Sequence, residues 1–526
     1  TCADMDDTCH AGGCVPAYRD PRTLGKSKAS ATGIKPLDPG MDAGEQDDVD
    51  AAVHDGGKDG GDGDGGADAQ VDGSGRDAAV ACHEDLDCGD DTPICEAGAC
   101  RGCDSSSECA ALPTQTPYCL SGRCVECESD NDCRGDMPRC EAGVCMPCNA
   151  NAQCASGVCN DDGACAAEDE VAYYEPSVGG VSNCGTKEAP CGYWDGILSL
   201  LHDTRRTLRI VPGSYNGVRL DLTDVAVPVR VVADGVTLNH LGYAQGPIVV
   251  VPSGRNVVIE GLAVRNAGTH NTNGAGVGFR CAGTGGTTTK LTLRGVSALN
   301  NGAQGLYSTN CDVTITDSLI ADNGAYGFYF YGGNVVVERS IIRSNLQGGM
   351  NTFDVPKLHV LNNLFVGNSN TGEYSGAIRA NNASGFQTDT LIAFNTFTKN
   401  AVNANYIGLI ACSPGFVVDS NVVWGNLVGN RTLPAEREQD MGQTFISCSV
   451  TNTVTELAAT PNSNSTFSGM ITMDPLFVSA AMDDYRLQAG SPALDVGTSV
   501  HAPMVDLEGN PRPVGAGADL GCYERQ

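Results

Sequence analysis

Residues 313–350 read VTITDSLIADNGAYGFYFYGGNVVVERSIIRSNLQGGM. The same phrase comes twice, 22 residues apart: a short apolar strand, Ser, two more apolar residues, Asn, then Gly followed by an aromatic residue or Met. Working outward, Asn301, Asn323 and Asn345 stand 22 apart, Asn368 follows at 23, and Asn400 and Asn426 continue with longer insertions. Gly305, Gly327 and Gly349 form a second series, again 22 apart. A period of about 20–25 residues with three short strands in each predicts a solenoid. The Leu spacing of leucine-rich repeats is absent, and the β-branched residues favour an all-β parallel β-helix with three strands per coil. Coils in such a solenoid sit ~4.8 Å apart, so equivalent residues stack into columns. The sequence places the Asn column (Asn301, Asn323, Asn345, Asn368) at a bend, since Asn tolerates left-handed backbone and its amide can bond the Asn above. The Gly column is expected at a second bend for the same backbone reason.

The chain has 526 residues, enough for two to four domains. Its formal charge is −32, with 64 acidic and 32 basic residues. Nucleic acid is excluded as a partner, because a phosphate backbone needs clustered Lys and Arg. No apolar run reaches the length of a transmembrane span. The 26 cysteines point to an oxidising compartment, and the chain is expected to be exported, secreted or held at an outer cell surface.

Sixteen of those cysteines lie in 82–168 as four units of four, beginning at Cys82, Cys103, Cys127 and Cys148. The texts PICEAGACRGC, PYCLSGRCVEC and PRCEAGVCMPC mark the unit, which is too small for a hydrophobic core and needs cross-links. The C-x-x-C joints also permit zinc, but the intervening spacings do not suit a four-ligand site. Pairing within a unit is not legible. Residues 1–14 hold Cys2, Cys9 and Cys14, the spacing of the last three positions of a unit, so a partial repeat is expected there. Between them, 15–81 is rich in Asp, Gly and Ala and cannot bury enough apolar surface to offset chain entropy, which makes it an acidic linker. No cofactor is expected. Calcium stays an alternative at DGDGG around Asp62 and Asp64, although the spaced carboxylates of a calcium loop are missing.

Residues 169–526 carry the solenoid. YWDGILSLLHD places Trp194, Ile197, Leu198 and Leu201 at helical spacing, a candidate N-terminal helix cap. This domain resembles the right-handed parallel β-helix, or pectate-lyase-like, superfamily. DPLFV, DYRLQAGSPALDVG, DLEGNPRP and DLGCYE (474–524) look like the closing segment of bacterial surface β-helix proteins. The acidic linker with Cys-rich repeats is similar to surface proteins of myxobacteria-like bacteria. The resemblance implies a polysaccharide lyase, a glycoside hydrolase or a non-catalytic adhesin. A polar network around Asp495, Asp506, Arg512 and Asp519 is expected to stabilise the closing segment.

Three disulfides are expected in this domain. Cys184 and Cys191 are close enough to bridge locally. Cys281 and Cys311 end comparable strands on stacked rungs, and Cys412 and Cys448 then pair. Cys522 is left over, either free or joined to an N-terminal cysteine.

Aligning the strand after each ladder Gly places Leu306, Phe328, Phe330 and Met350 inside and Tyr307, Tyr329, Tyr331, Asn351 and Phe353 outside. Exposed aromatic rings beside amides are what a carbohydrate-binding face uses. Arg280 and Arg379 are expected on the same face, about four rungs or roughly 19 Å apart. Catalysis would call on Arg280, Asp354, Glu373 and Arg379, but these do not form the paired carboxylates of a glycosidase. The superfamily's Gly-His-Gly, paired-Asp and Arg-x-Pro-x-x-Arg motifs are absent. The first reading is therefore a non-catalytic surface protein binding extracellular polysaccharide or another cell surface. A lyase or hydrolase on the same face is the alternative, and self-assembly into an extracellular structure is a second one.

Overall fold

The computed structural model describes residues 8–10, 13–15 and 82–526, apart from 90, 114, 181–182, 242–245, 269–275, 285–287, 369–375, 382–388, 403–408, 414, 429–444 and 457–464. Glu373, the Asp62–Asp64 stretch and nearly all of the acidic linker lie outside the described residues. The chain divides into two compact units: residues 26–133 with 140–145, and residues 1–25 with 134–139 and 146–526.

The second unit is a parallel β-helix. Strands from Leu220–Asp221 to Phe445–Ile446 form a nine-stranded flat sheet, every pair in it parallel. Most of the other strands form two further sheets, joined at the N-terminal end because Val229–Asn239 and Asn256–Arg265 each run round a corner. The register is the sequence period: Leu293, Ile315, Val337, Val360, Ile392, Val418 and Val450 stack in one inward column, each fully buried. Burying each such side chain contributes about 1.5–3 kcal/mol.

The Asn column is a buried hydrogen-bond ladder. Each Oδ1 accepts from the Nδ2 of the Asn one coil earlier, at 3.0, 2.8, 2.9, 3.0 and 3.1 Å from Asn301 through Asn426. The same Oδ1 also accepts the backbone N–H of that Asn. The remaining amide hydrogen goes to a carbonyl, as from Asn345 to Ile320 O. The expected amide-to-amide bonding is thus present, but the left-handed backbone expected at the Asn itself is not. The left-handed residue is the one before: Asn300, Asp322, Ser344, Gly367, Lys399 and Gly425 carry the positive φ. The ladder residue is Asn because only a primary amide supplies two donors and an acceptor at that spot.

A second ladder went unread. It runs through Ser318, Ser340, Asn363, Asn395, Asn421 and Thr453, again one residue after a left-handed position. Five residues always separate its members from the Asn ladder: 318 to 323, 340 to 345, 363 to 368, 395 to 400 and 421 to 426.

The Gly column also has a different cause from the one expected. Gly305, Gly327 and Gly349 do not have left-handed backbone. A Cβ on Gly327 would lie 2.7 Å from Gly349 O and 2.9 Å from the Asn345 amide nitrogen. These glycines are required by close approach to the ladder and the next coil.

The N-terminal helix is shorter than its sequence pattern, Trp194–Leu198. Its Trp194 indole donates to Asp221 O and meets the Tyr174 ring edge-on, beside the first strand, Val171–Tyr174.

Residues 474–526 run along the flank of the coils. Tyr485, Leu487, Leu507, Leu520 and Cys522 cover the outward apolar positions Leu364, Val366, Val422 and Val454. Arg512 stacks over Phe394 and pairs with Glu524 at 2.9 Å, both side chains fully buried. Asp519 accepts the N–H groups of Asp495 and Arg525, and its burial raises its pKa. Asp495 and Asp506 in turn accept neighbouring backbone N–H groups. Cys522 is a free thiol in this packing, pushed up to about 12 by burial.

Every four-cysteine unit pairs first with third and second with fourth: Cys82–Cys95 and Cys88–Cys100, Cys103–Cys119 and Cys109–Cys124, Cys127–Cys140 and Cys133–Cys145, Cys148–Cys159 and Cys154–Cys165. The third and fourth cysteines of the first two units face each other on a hairpin. Its turn holds two positive-φ residues, Ala97–Gly98 or Ser121–Gly122, which suits the twist of the strands. Thr8–His10 and Gly13–Val15 pair with the same register, Cys9 opposite Cys14.

The fourth unit packs on the β-helix. Val158 and Ala166 bury against Val171, Tyr173 and Val232. Arg294 bridges Asp161 and Glu260 at 2.7 and 3.1 Å, and Arg230 binds both Glu260 and Cys159 O. The fourth cysteine unit thus belongs to the same compact unit as the β-helix.

Two expected outcomes follow. Asn345→Leu strands the Asn323 donors and Ile320 O, and should lower stability by roughly 2–4 kcal/mol in urea unfolding. Asn334→Ala, on an exposed bend, should stay within about 0.5 kcal/mol. Equal effects would remove the ladder from the account. A chain cut to 169–526 should melt lower than one cut to 146–526, since only the first exposes Val171, Tyr173 and Val232.

Candidate functional site

The flat sheet brings together most of the residues that alternation placed outside. Arg280, Tyr307, Tyr329, Asn351 and Arg379 are register partners on five successive coils. Arg280 and Arg379 therefore stand four rungs apart, too far to act on one sugar ring. Thr309, Tyr331, Phe353 and Asn381 form the neighbouring outward column. The alignment had not singled out Thr309 or Asn381; their register with Tyr331 and Phe353 is the signal that identifies them.

The rings interact mainly with one another. Tyr307 and Tyr329 stack with centroids 5.1 Å apart and planes 11° from parallel. Tyr329 tilts against Phe353 at 5.7 Å, and the Arg379 guanidinium lies 5.1 Å over the Phe353 ring. Their faces are thus partly used in holding the strip flat, leaving Tyr331 as its exposed ring, at 46%. Asn351 departs from expectation: it occupies an outward position yet is only 3% exposed. Bulky neighbours on both adjoining coils close over a short side chain, which a two-residue alternation cannot reveal.

Asp354 is not on the flat surface. It takes left-handed backbone (φ 50°) at the bend after Gly348–Phe353, the place held by Asn310 and Gly332 on earlier coils. Among the described residues, the only clusters with metal-ligand proximity are cysteines, and those are disulfide-bonded. The disulfides Cys184–Cys191, Cys281–Cys311 and Cys412–Cys448 are present, the last two joining successive coils. No described helix is long and apolar enough to cross a membrane.

This architecture agrees with the comparisons. A family model described as right handed beta helix region matches residues 234–377 and 275–434. A family of unknown function (DUF8331) matches 67–171. The chain is a right-handed parallel β-helix protein carrying N-terminal disulfide-rich repeats. No curated protein matches it in sequence. Among solved structures it is similar to the pectate lyase Pel9A, with 15% identity, a TM-score of 0.35, and coverage of 68% of this chain and 96% of that one. The periplasmic alginate epimerase AlgG matches at 12% identity and TM-score 0.28, covering 52% and 74%. The catalytic domain of a GH87 α-1,3-glucanase matches at 11% and 0.29, covering 58% and 66%.

The two rings Tyr329 and Tyr331 should differ in what they contribute to stability. Tyr329→Ala, which removes the ring between Tyr307 and Phe353, should lower stability by roughly 1–3 kcal/mol. Tyr331→Ala should stay within about 0.5 kcal/mol in the same thermal unfolding experiment.

Proposed function

We propose that this is an exported, non-catalytic surface protein whose flat β-sheet binds extracellular polysaccharide. The observation that carries the reading is the strip itself: successive coils hold, in register, a guanidinium, two stacked phenols and, beyond the buried Asn351, a second guanidinium, with Tyr331 exposed beside them. Such a strip is long enough for several sugar units, and its rings and polar groups suit C–H patches and hydroxyls. Eleven disulfides among the described residues favour an oxidising location. Against catalysis stand the separation of Arg280 from Arg379 and the position of Asp354 at a bend.

The test is a glycan array with the full chain, with products followed by the ultraviolet absorbance of unsaturated uronates and by reducing ends. Binding without product, weakened at least fivefold by Tyr331→Ala, is expected. Product would overturn the non-catalytic reading in favour of a lyase or hydrolase. Absence of any glycan binding would move the weight to self-assembly, visible as oligomers in sedimentation.

A further inference from the structure

The first three cysteine units share a groove of about 750 Å³. Leu86 from the first unit, Leu112 and Leu120 from the second and Val144 from the third line it. Leu86 is 67% exposed, Leu120 42% and Val144 47%. So much apolar surface in one concave place marks a site that something covers. Its surroundings are acidic: residues 82–145 hold fourteen acidic and four basic side chains. The arginine in the groove, Arg123, is already paired with Asp91. Asp85 and Glu126 stand in the wall, and each spends one carboxylate oxygen on a backbone N–H, of Cys95 at 2.7 Å and of Cys145 at 2.9 Å. That leaves the second oxygen of each to meet a cation. The groove therefore fits a basic segment with apolar side chains.

This chain contains such a segment. Residues 26–37, KSKASATGIKPL, carry Lys26, Lys28 and Lys35 with no acidic residue, and Ile34 and Leu37 lie on either side of Lys35. The rest of the stretch up to Cys82 holds thirteen acidic and two basic residues, which an acidic groove repels. Forty-four residues join Leu37 to Cys82, a reach of up to roughly 145 Å. Such a tether holds its segment at up to about millimolar effective concentration. We propose that residues 26–37 occupy this groove in their own molecule, with Ile34 and Leu37 against Leu86, Leu120 and Val144 and the lysines toward Asp85 and Glu126. The proposal is independent of the flat sheet and of what that sheet binds.

The experiment treats the full chain with a lysine-specific endoprotease and times cleavage after Lys28 and after Lys58 by mass spectrometry. Leu86→Arg/Leu120→Arg replaces apolar contact by like charge at two exposed positions. Ile34→Asp/Leu37→Asp changes only the segment and leaves the disulfide-rich units untouched. In either variant Lys28 is expected to be cut at least tenfold faster than in the native chain, with the rate at Lys58 unchanged. Equal rates at Lys28 in all three proteins would overturn the proposal and leave the groove to a separate molecule. A rise confined to Ile34→Asp/Leu37→Asp would place the segment elsewhere than this groove and overturn it as well. Protection of Lys28 that disappears on dilution, with dimers in sedimentation, would overturn it in favour of the segment of a second copy.

Discussion

A side-chain amide buried in a solenoid must find its partners in the coils directly above and below. In this chain the Asn301–Asn426 ladder meets that demand at every step, and much else follows from it. Each amide spans the gap between coils, so it fixes the coil spacing and the register together. A coil displaced by one residue would bury its amide unpaired and turn its apolar column outward. The left-handed residue before each ladder position and the bare glycines that face the amides are both accommodations to it.

The flat sheet inherits that order. Because the coils are locked in register, outward side chains form straight columns, and the strip of rings and guanidinium groups follows from that register. The flank shows the same principle put to another purpose. There the outward positions are apolar, and residues 474–526 cover them through a buried Arg512–Glu524 pair. Breaking one partner of such a pair costs far more than the pair contributes, so it fixes the path of the segment.

The sequence made the solenoid legible because the ladder repeats in plain view at 22 residues. It exposed the Asn column and its amide-to-amide bonding, but not the left-handed residue beside each Asn or the reason for the Gly column. Those depend on which residue takes the left-handed conformation and on what stands one coil away. The Ser318–Thr453 ladder hid behind changing chemistry, since Ser, Asn and Thr do the same work there. For the site, alternation sorted Tyr307, Tyr329, Tyr331 and Phe353 to the outer face. It misjudged Asn351, whose burial is set by large neighbours on other coils, and Asp354, whose place at a bend depends on where the strand ends. The docking of the fourth cysteine unit was illegible, because its cysteine spacing hardly differs from that of the other three.

The constant five-residue distance between the two ladders divides each coil into a part that cannot grow and a part that can. Coils lengthen from 22 to 32 residues between Asn323 and Asn400, yet none of the added length enters the ladder-to-ladder segment. It falls on the two stretches flanking the flat sheet: ten residues separate Asn368 from Ile378, where five separate Asn345 from Met350. Mutation can therefore lengthen the borders of the flat sheet while the ladders keep the scaffold constant. Related chains would diverge in the rims of that sheet long before they diverge in fold.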